Sequence, residues 1–241
     1  MRRSTTLARW TLGVVLITWR YMWSTTPLHR TTAAGDLTDV GPPLPDELTD
    51  SRCQPMGTGV GPVFHRLFTV DIDGSRLSGS ELLATLAADL NRAVPTEVVG
   101  VERIAGGARG LALGDEVVVH MPGPWDGPVR VVDATSTSFR LATLSGHMEA
   151  GQIEFRTVAH GSLLRLEIEV WARPASRTVQ MLYARLRVGK EIQLNMWVRF
   201  CLSAVRLAGG RARGGVTIRT RVVDEDLLPG ARATISERSR A

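Results

Sequence analysis

Cysteine is nearly absent from this chain: Cys53 and Cys201 are the two in 241 residues, and they stand far apart. Neither a disulfide framework nor a cysteine metal cluster is available from them, and a reducing cytosol fits best. Lysine is scarcer still. Lys190 stands alone and every other basic residue is arginine, which together with abundant Ala and Gly is the mark of GC-rich coding. Acidic residues are missing from positions 1–30, which hold Arg2, Arg3, Arg9, Arg20 and Arg30. With those five set aside, 24 basic residues face 24 acidic ones, so the body is neutral. A nucleic-acid surface spread over the fold is therefore not expected. The N-terminal apolar run, Trp10 to Trp19, is ten residues long, well short of the roughly 20 that cross a bilayer.

Catalytic signatures are lacking too. No Gly-x-Ser-x-Gly elbow occurs. Gly106-Gly107-Ala108-Arg109-Gly110 is not flanked by the strand and helix of a phosphate-binding loop. No catalytic residue, cofactor or metal site is assigned from the sequence.

The chain divides into four stretches. Residues 1–30 are basic and apolar and read as a short helix. Trp10, Trp19, Arg20 and Trp23 suit either contact with a membrane–water interface or packing on the domain. Residues 31–62, rich in Thr, Gly, Pro and Asp, read as a linker or an irregular arm lying over the domain. Residues 63–208 are the folded body. Residues 209–241 form an extension in which Gly214–Val223 suggests one more strand, before an Arg/Ser/Ala tail expected to be disordered.

Within the body, Phe64, Phe68, Val70 and Ile72 alternate with polar residues in a strand pattern. Ser78 to Leu90 follows as a helix. Short β-type runs come next: Glu97–Ile104, Asp115–Met121, Val129–Asp133, Ser138–Leu144, Gln152–Val158 and Leu163–Ala172. Seven strands, six of them consecutive and joined by short turns, imply an antiparallel meander.

Ala175 to Ala208 then reads as one long helix closing over the sheet. Pro174 precedes it, Ser176 can cap it, and Gly209-Gly210 ends it. Val179, Leu182, Leu186, Gly189, Gln193, Trp197, Phe200, Ala204 and Ala208 share one face at helical spacing, with Arg187, Glu191, Asn195, Arg199 and Arg206 opposite. Gln193 interrupts the apolar stripe. Its amide needs a partner, supplied either by the sheet or by a ligand or water in a cavity.

This order of strand, helical segment, six-strand meander and long last helix resembles the α+β helix-grip fold of the START/Bet v 1-like (SRPBCC) superfamily. The segment Thr143–Phe155, with Gly-His-x-Glu-x-Gly at Gly146–Gly151, and Leu113–Val119 two strands earlier look like the bacterial and plant family named domain of unknown function 1990. The resemblance covers about residues 63–208. Met148 stands where the family often has proline and Gln152 where it often has glutamate. The resemblance implies a sheet wrapped around a helix with a hydrophobic cavity between, and supplies no activity.

His147 and Glu149 are candidates either to orient a ligand or move protons, or to tie a turn by side-chain hydrogen bonds. A third metal ligand would have to come from His65 or His120, and no close spacing suggests it. Trp125, in the Pro122–Pro128 turn cluster, either lids a cavity mouth or pins a long hairpin loop. The expectation is non-catalytic binding of a small hydrophobic or amphipathic ligand by His147, Glu149, Gln193, Trp197 and Trp125. The alternatives are a cyclase- or hydratase-like enzyme on a polyketide- or lipid-like substrate, and a membrane-surface adaptor. The expected location is cytoplasmic, with peripheral contact at the inner membrane face left open.

Overall fold

A computed structural model describes residues 27–95, 99–107, 110–120, 126–185 and 187–228, with only the backbone described over 182–193. Its centre is a nine-stranded sheet in the order β1-β9-β2-β8-β7-β6-β5-β4-β3. The strands are β1 (Leu28–Ala34), β2 (Val63–Asp73), β3 (Gly100–Ala105), β4 (Glu116–His120), β5 (Asp126–Ala134), β6 (Ser138–Thr143), β7 (Glu149–His160), β8 (Leu163–Pro174) and β9 (Arg211–Val223). Strands β3 to β8 form a continuous antiparallel meander, and β2 pairs with β8 to carry it back to the first strand of the body.

Alternation sorts the two faces. Phe68, Val70 and Ile72 of β2, Phe155 of β7, and Leu166 and Ile168 of β8 are buried together on the inner face. Helix α1 (Gly79–Ala88) lays Leu82, Leu83 and Leu86 on that face. It starts at Ser78, whose hydroxyl accepts from the Glu81 amide while Glu81 reaches back to the Ser78 amide, a reciprocal cap. Helical backbone then covers α2 (Arg177–Arg185) and α3 (Arg187–Leu207). Val198, Phe200, Cys201, Ala204 and Val205 of α3, and Ala208 just after it, are buried in the same core. The sheet thus grips the last helix, the arrangement of the helix-grip class.

Three features differ from the sequence expectation. The sheet has nine strands rather than seven, because β1 and β9 extend it past both ends of 63–208. β1 pairs in parallel with β9, so the sheet is not wholly antiparallel. β1 escaped notice because six of its seven residues are exposed; backbone pairing holds it, leaving no apolar alternation to read. Leu28, His29 and Arg30 belong to this strand, not to a helix, while residues 1–26 lie outside the described set. Finally, Asn195, placed on the polar face of the long helix, is only 7% exposed. The buried arc of α3 is wider than one stripe, since β2 and β9 flank it on one side and Phe155 meets Trp197 and Phe200 on the other.

Residues 35–62 cross the outer face with three short 3-10 turns, Leu37–Asp39, Asp46–Leu48 and Met56–Thr58. This arm is pinned by side chains. Arg130, buried on β5, donates to the Leu48 carbonyl at 2.9 Å, to Asp50 at 2.9 Å and to Glu116 at 2.7 Å. Arg52 meets the same Glu116 at 2.7 Å. The hydrogen bond to Asp50 raises the Arg130 pKa and depresses that of Asp50. Among the described residues no helix is long and apolar enough to cross a membrane.

Candidate functional site

The Gly146–Gly151 segment joins β6 to β7, and its backbone explains both glycines. Gly146 has φ +99° and Gly151 φ +154°, conformations that side-chain-bearing residues seldom adopt. At Gly151 there is also no room: a Cβ would lie 2.0 Å from the Trp171 carbonyl oxygen of β8. Gln54 of the arm seals the turn from outside, its Nε2 donating to the His147 and Glu149 carbonyls at 2.9 and 2.8 Å. Thr143 Oγ1 donates to the Gln54 carbonyl at 2.9 Å.

His147 works within this turn. Its Nδ1 accepts the Glu149 amide at 2.9 Å, so the neutral ring carries its proton on Nε2. Burial pushes its pKa down, against the nearby Glu149 charge. The ring is thus tied to backbone rather than to the Glu149 carboxylate.

Trp197 lies elsewhere, over Phe155 at 5.7 Å and Phe200 at 5.8 Å between ring centroids, with Phe139 stacked on Phe155 at 4.7 Å. Among the described residues its indole Nε1 is buried with no hydrogen-bond partner, and so is Oδ1 of Asn195, two residues before it. An unpaired buried polar atom costs about 1–3 kcal/mol, so two on one helix call for an explanation. Gln193 is in the helical backbone one turn before Trp197; its side chain lies outside the described set, as do Trp125, Trp10, Trp19, Arg20 and Trp23. Of the described candidates, Trp197 meets Phe155 and Phe200, while His147 is bonded to the Glu149 backbone.

Sequence reasoning missed Asn195, and also Arg66, which is 5% exposed with its guanidinium 4.9 Å from the centre of the Phe64 ring. Alternation along β2 puts Phe64 and Arg66 on the same face as Phe68, Val70 and Ile72, and that parity was the available signal for Arg66. A cleft of about 530 Å³ opens at the far end of the sheet, beside the start of α1, lined by Ser75, Ser78, Ser80, Thr157 and Ser162 among others. Of the described sequence candidates, His147, Glu149 and Trp197 do not line it.

The histidines serve separate places. His120 lies between Asp126 and Glu102 at 2.9 and 3.0 Å on β4. His65, on the outer face of β2, bridges Asp39 of the arm at 2.9 Å and Glu169 of β8 at 2.7 Å, stacked on Trp171. Among the described residues no group of three or more His, Cys, Asp or Glu converges as a metal site would require. Both cysteines are free, and burial pushes the Cys201 thiol up to about 12.

His65 gives a pH expectation. Burial opposes its charge, but its hydrogen bonds to Glu169 and Asp39 outweigh it and raise its pKa. Burial likewise opposes the Glu169 charge, yet His65 and Arg156 hold that carboxylate below its usual range. Arg221 of β9 is the register neighbour on the other side. A raised pKa stabilises the folded state fully below the ordinary histidine value near 6.5, and that stability is lost as pH rises through the raised value. Proteolysis within residues 36–62 should therefore quicken across that rise, and His65→Gln should flatten the profile. An arm whose cleavage rate ignores pH in the wild type contradicts this.

A family model described as Domain of unknown function (DUF1990) matches residues 76–204, more than half of the chain. No curated protein matches. Among solved structures, norcoclaurine synthase from Thalictrum flavum in complex with dopamine and hydroxybenzaldehyde is 12% identical, over 66% of this chain and 92% of that one, with a TM-score of 0.44. The ginseng major latex-like protein 151 from Panax ginseng is 14% identical over 61% and 96%, TM-score 0.38. A conserved protein from Geobacillus kaustophilus is 12% identical over 62% and 99%, TM-score 0.42.

Proposed function

Because this chain belongs to the DUF1990 family, a branch of the helix-grip superfamily with no activity attached to its name, we propose its function from its own polar groups: it binds a small hydrophobic or amphipathic molecule between sheet and last helix, without chemistry. One observation carries this. The Trp197 indole N–H is buried against Phe155 and Phe200 and, among the described residues, has nothing to donate to. An apolar surround with a few unsatisfied polar atoms is what an amphipathic ligand completes. Gln193, on the Trp197 stripe by helical spacing, is proposed to line the same space, and Trp125 to cover its mouth. His147 and Glu149 hold the β6–β7 turn and shape the rim. The domain proposed to carry this binding is residues 63–208, with β1 and β9 bracing its edge.

Trp197→Phe tests it, because the change keeps an aromatic ring against Phe155 and Phe200 and removes the N–H together with the five-membered part of the indole. Stability should fall by only about 1–2 kcal/mol, for the apolar volume removed, since among the described residues no hydrogen bond of the indole is lost. Binding of the apolar dye 1-anilinonaphthalene-8-sulfonate should stay saturable at one site while its affinity falls by about fivefold, the scale of one hydrogen bond of roughly 1 kcal/mol. Unchanged dye affinity means the indole is structural.

A further inference from the structure

The β1–β9 edge of the sheet differs in charge between its two ends, and the basic end is also where the N-terminal segment joins the fold. β1 and β9 run in parallel from that end, with Leu28 beside Val216 and the Pro27 carbonyl accepting the Val216 amide at 3.0 Å. Around this point Arg76, Arg206, Arg211 and Arg213 are all exposed. Arg76 lies over Gly209, where a Cβ would meet its side chain at 2.9 Å, and its amide donates to the Ala208 carbonyl at 2.7 Å. Arg211 and Arg213 stand on the outer face of β9, opposite Asp73 and Asp71. Asp71 is already engaged by both arms of Arg165, at 2.7 and 2.9 Å, and Glu81 is spent on the α1 cap. Among the described residues no carboxylate ion-pairs with Arg76, Arg211 or Arg213.

The same two strands finish in acid. β9 runs into Asp224, Glu225 and Asp226, and β1 into Asp36 and Asp39. The chain preceding Pro27 adds Arg2, Arg3, Arg9 and Arg20, no acid, and the Trp10–Trp19 apolar run. We propose that this basic end is a docking surface for an anionic lipid bilayer, with Arg76, Arg206, Arg211 and Arg213 reading headgroup phosphate and carboxylate charge. A charge dipole along the sheet turns this end toward a negative surface, and arginines near such a surface attract it additively. The tryptophans upstream suit the interface rather than a groove in nucleic acid. This goes beyond ligand binding and does not depend on it.

The test is sedimentation of the full-length chain with vesicles of phosphatidylcholine alone or with 30% phosphatidylserine, a fraction of about 30% being chosen to give a strong surface potential. The wild type should bind the anionic vesicles at least about tenfold better than the neutral ones, less so as salt is raised. Arg211→Glu/Arg213→Glu should lose about tenfold or more on anionic vesicles and nothing on neutral ones; Arg211→Lys/Arg213→Lys should keep the binding. Circular dichroism checks that each variant folds. Equal binding of both vesicle types by the wild type overturns the proposal, as does a Glu variant that still sediments with anionic lipid. A wild type that ignores both vesicles but retains duplex DNA assigns the arginines to nucleic acid and overturns it too. None of these outcomes touches the dye binding that tests the interior site.

Discussion

Gly151→Ala should cost about 4 kcal/mol or more, in the range that single substitutions seldom reach. A methyl there would sit 2.0 Å from the Trp171 oxygen and 2.8 Å from Ala172 Cα, both backbone atoms of the neighbouring strand. No side chain can step aside, so β7 and β8 must part or the residue must leave φ +154°. Either breaks the pairing of Gly151 with Ala172 and the amide bond to Gln54. Gly146→Ala makes the control. Its φ is also positive, but its nearest neighbour is Pro128 Cγ at 4.0 Å, so only the left-handed penalty of about 1–2 kcal/mol applies. Thermal denaturation should place the Gly151 variant about 10 °C or more below the wild type and the Gly146 variant between them. Two variants with equal, small losses would show that the β7–β8 contact has room.

Arg130→Met should be nearly as damaging, at about 2–4 kcal/mol. The guanidinium gathers Leu48 O, Asp50 and Glu116 at 2.7–2.9 Å, and the side chain is 7% exposed. Its loss leaves Glu116, 17% exposed, with Arg52 alone among the described residues. Asp50 at 43% exposed can turn to water, which keeps the cost below that of a sealed pair. Chemical denaturation should show the loss, and limited proteolysis should cut first within the arm. Arg130→Lys should recover part of the stability, since a point charge replaces a fork. An arm that stays resistant in the Met variant would mean that the Gln54 and His65 contacts suffice to hold it.

How much of this was legible beforehand depended on which face each residue showed. β2 and β8 bury one side and expose the other, so alternation found them. β1 buries nothing fully, and its partner lies more than 180 residues on, so no local pattern marked it. The arm was legible as irregular from its prolines and glycines, but its course depends on Arg130 and His65, whose partners are distant in sequence. The Gly-His-x-Glu-x-Gly segment stood out correctly, while its two glycines answer to backbone geometry. His147 and Glu149 looked like a titrating pair because spacing cannot tell a carboxylate contact from a backbone one. Asn195 was assigned to solvent on helical arithmetic, which assumes one buried stripe; a sheet curled round the helix buries more.

The claim at the centre of this account is an occupied space between sheet and last helix, and native mass spectrometry of the purified full-length chain tests it most directly. The account predicts that the chain carries one small molecule of a few hundred daltons, or takes up one equivalent of 1-anilinonaphthalene-8-sulfonate when stripped, and releases it on collisional activation. A spectrum holding only the bare chain, before and after the dye is added, would contradict it.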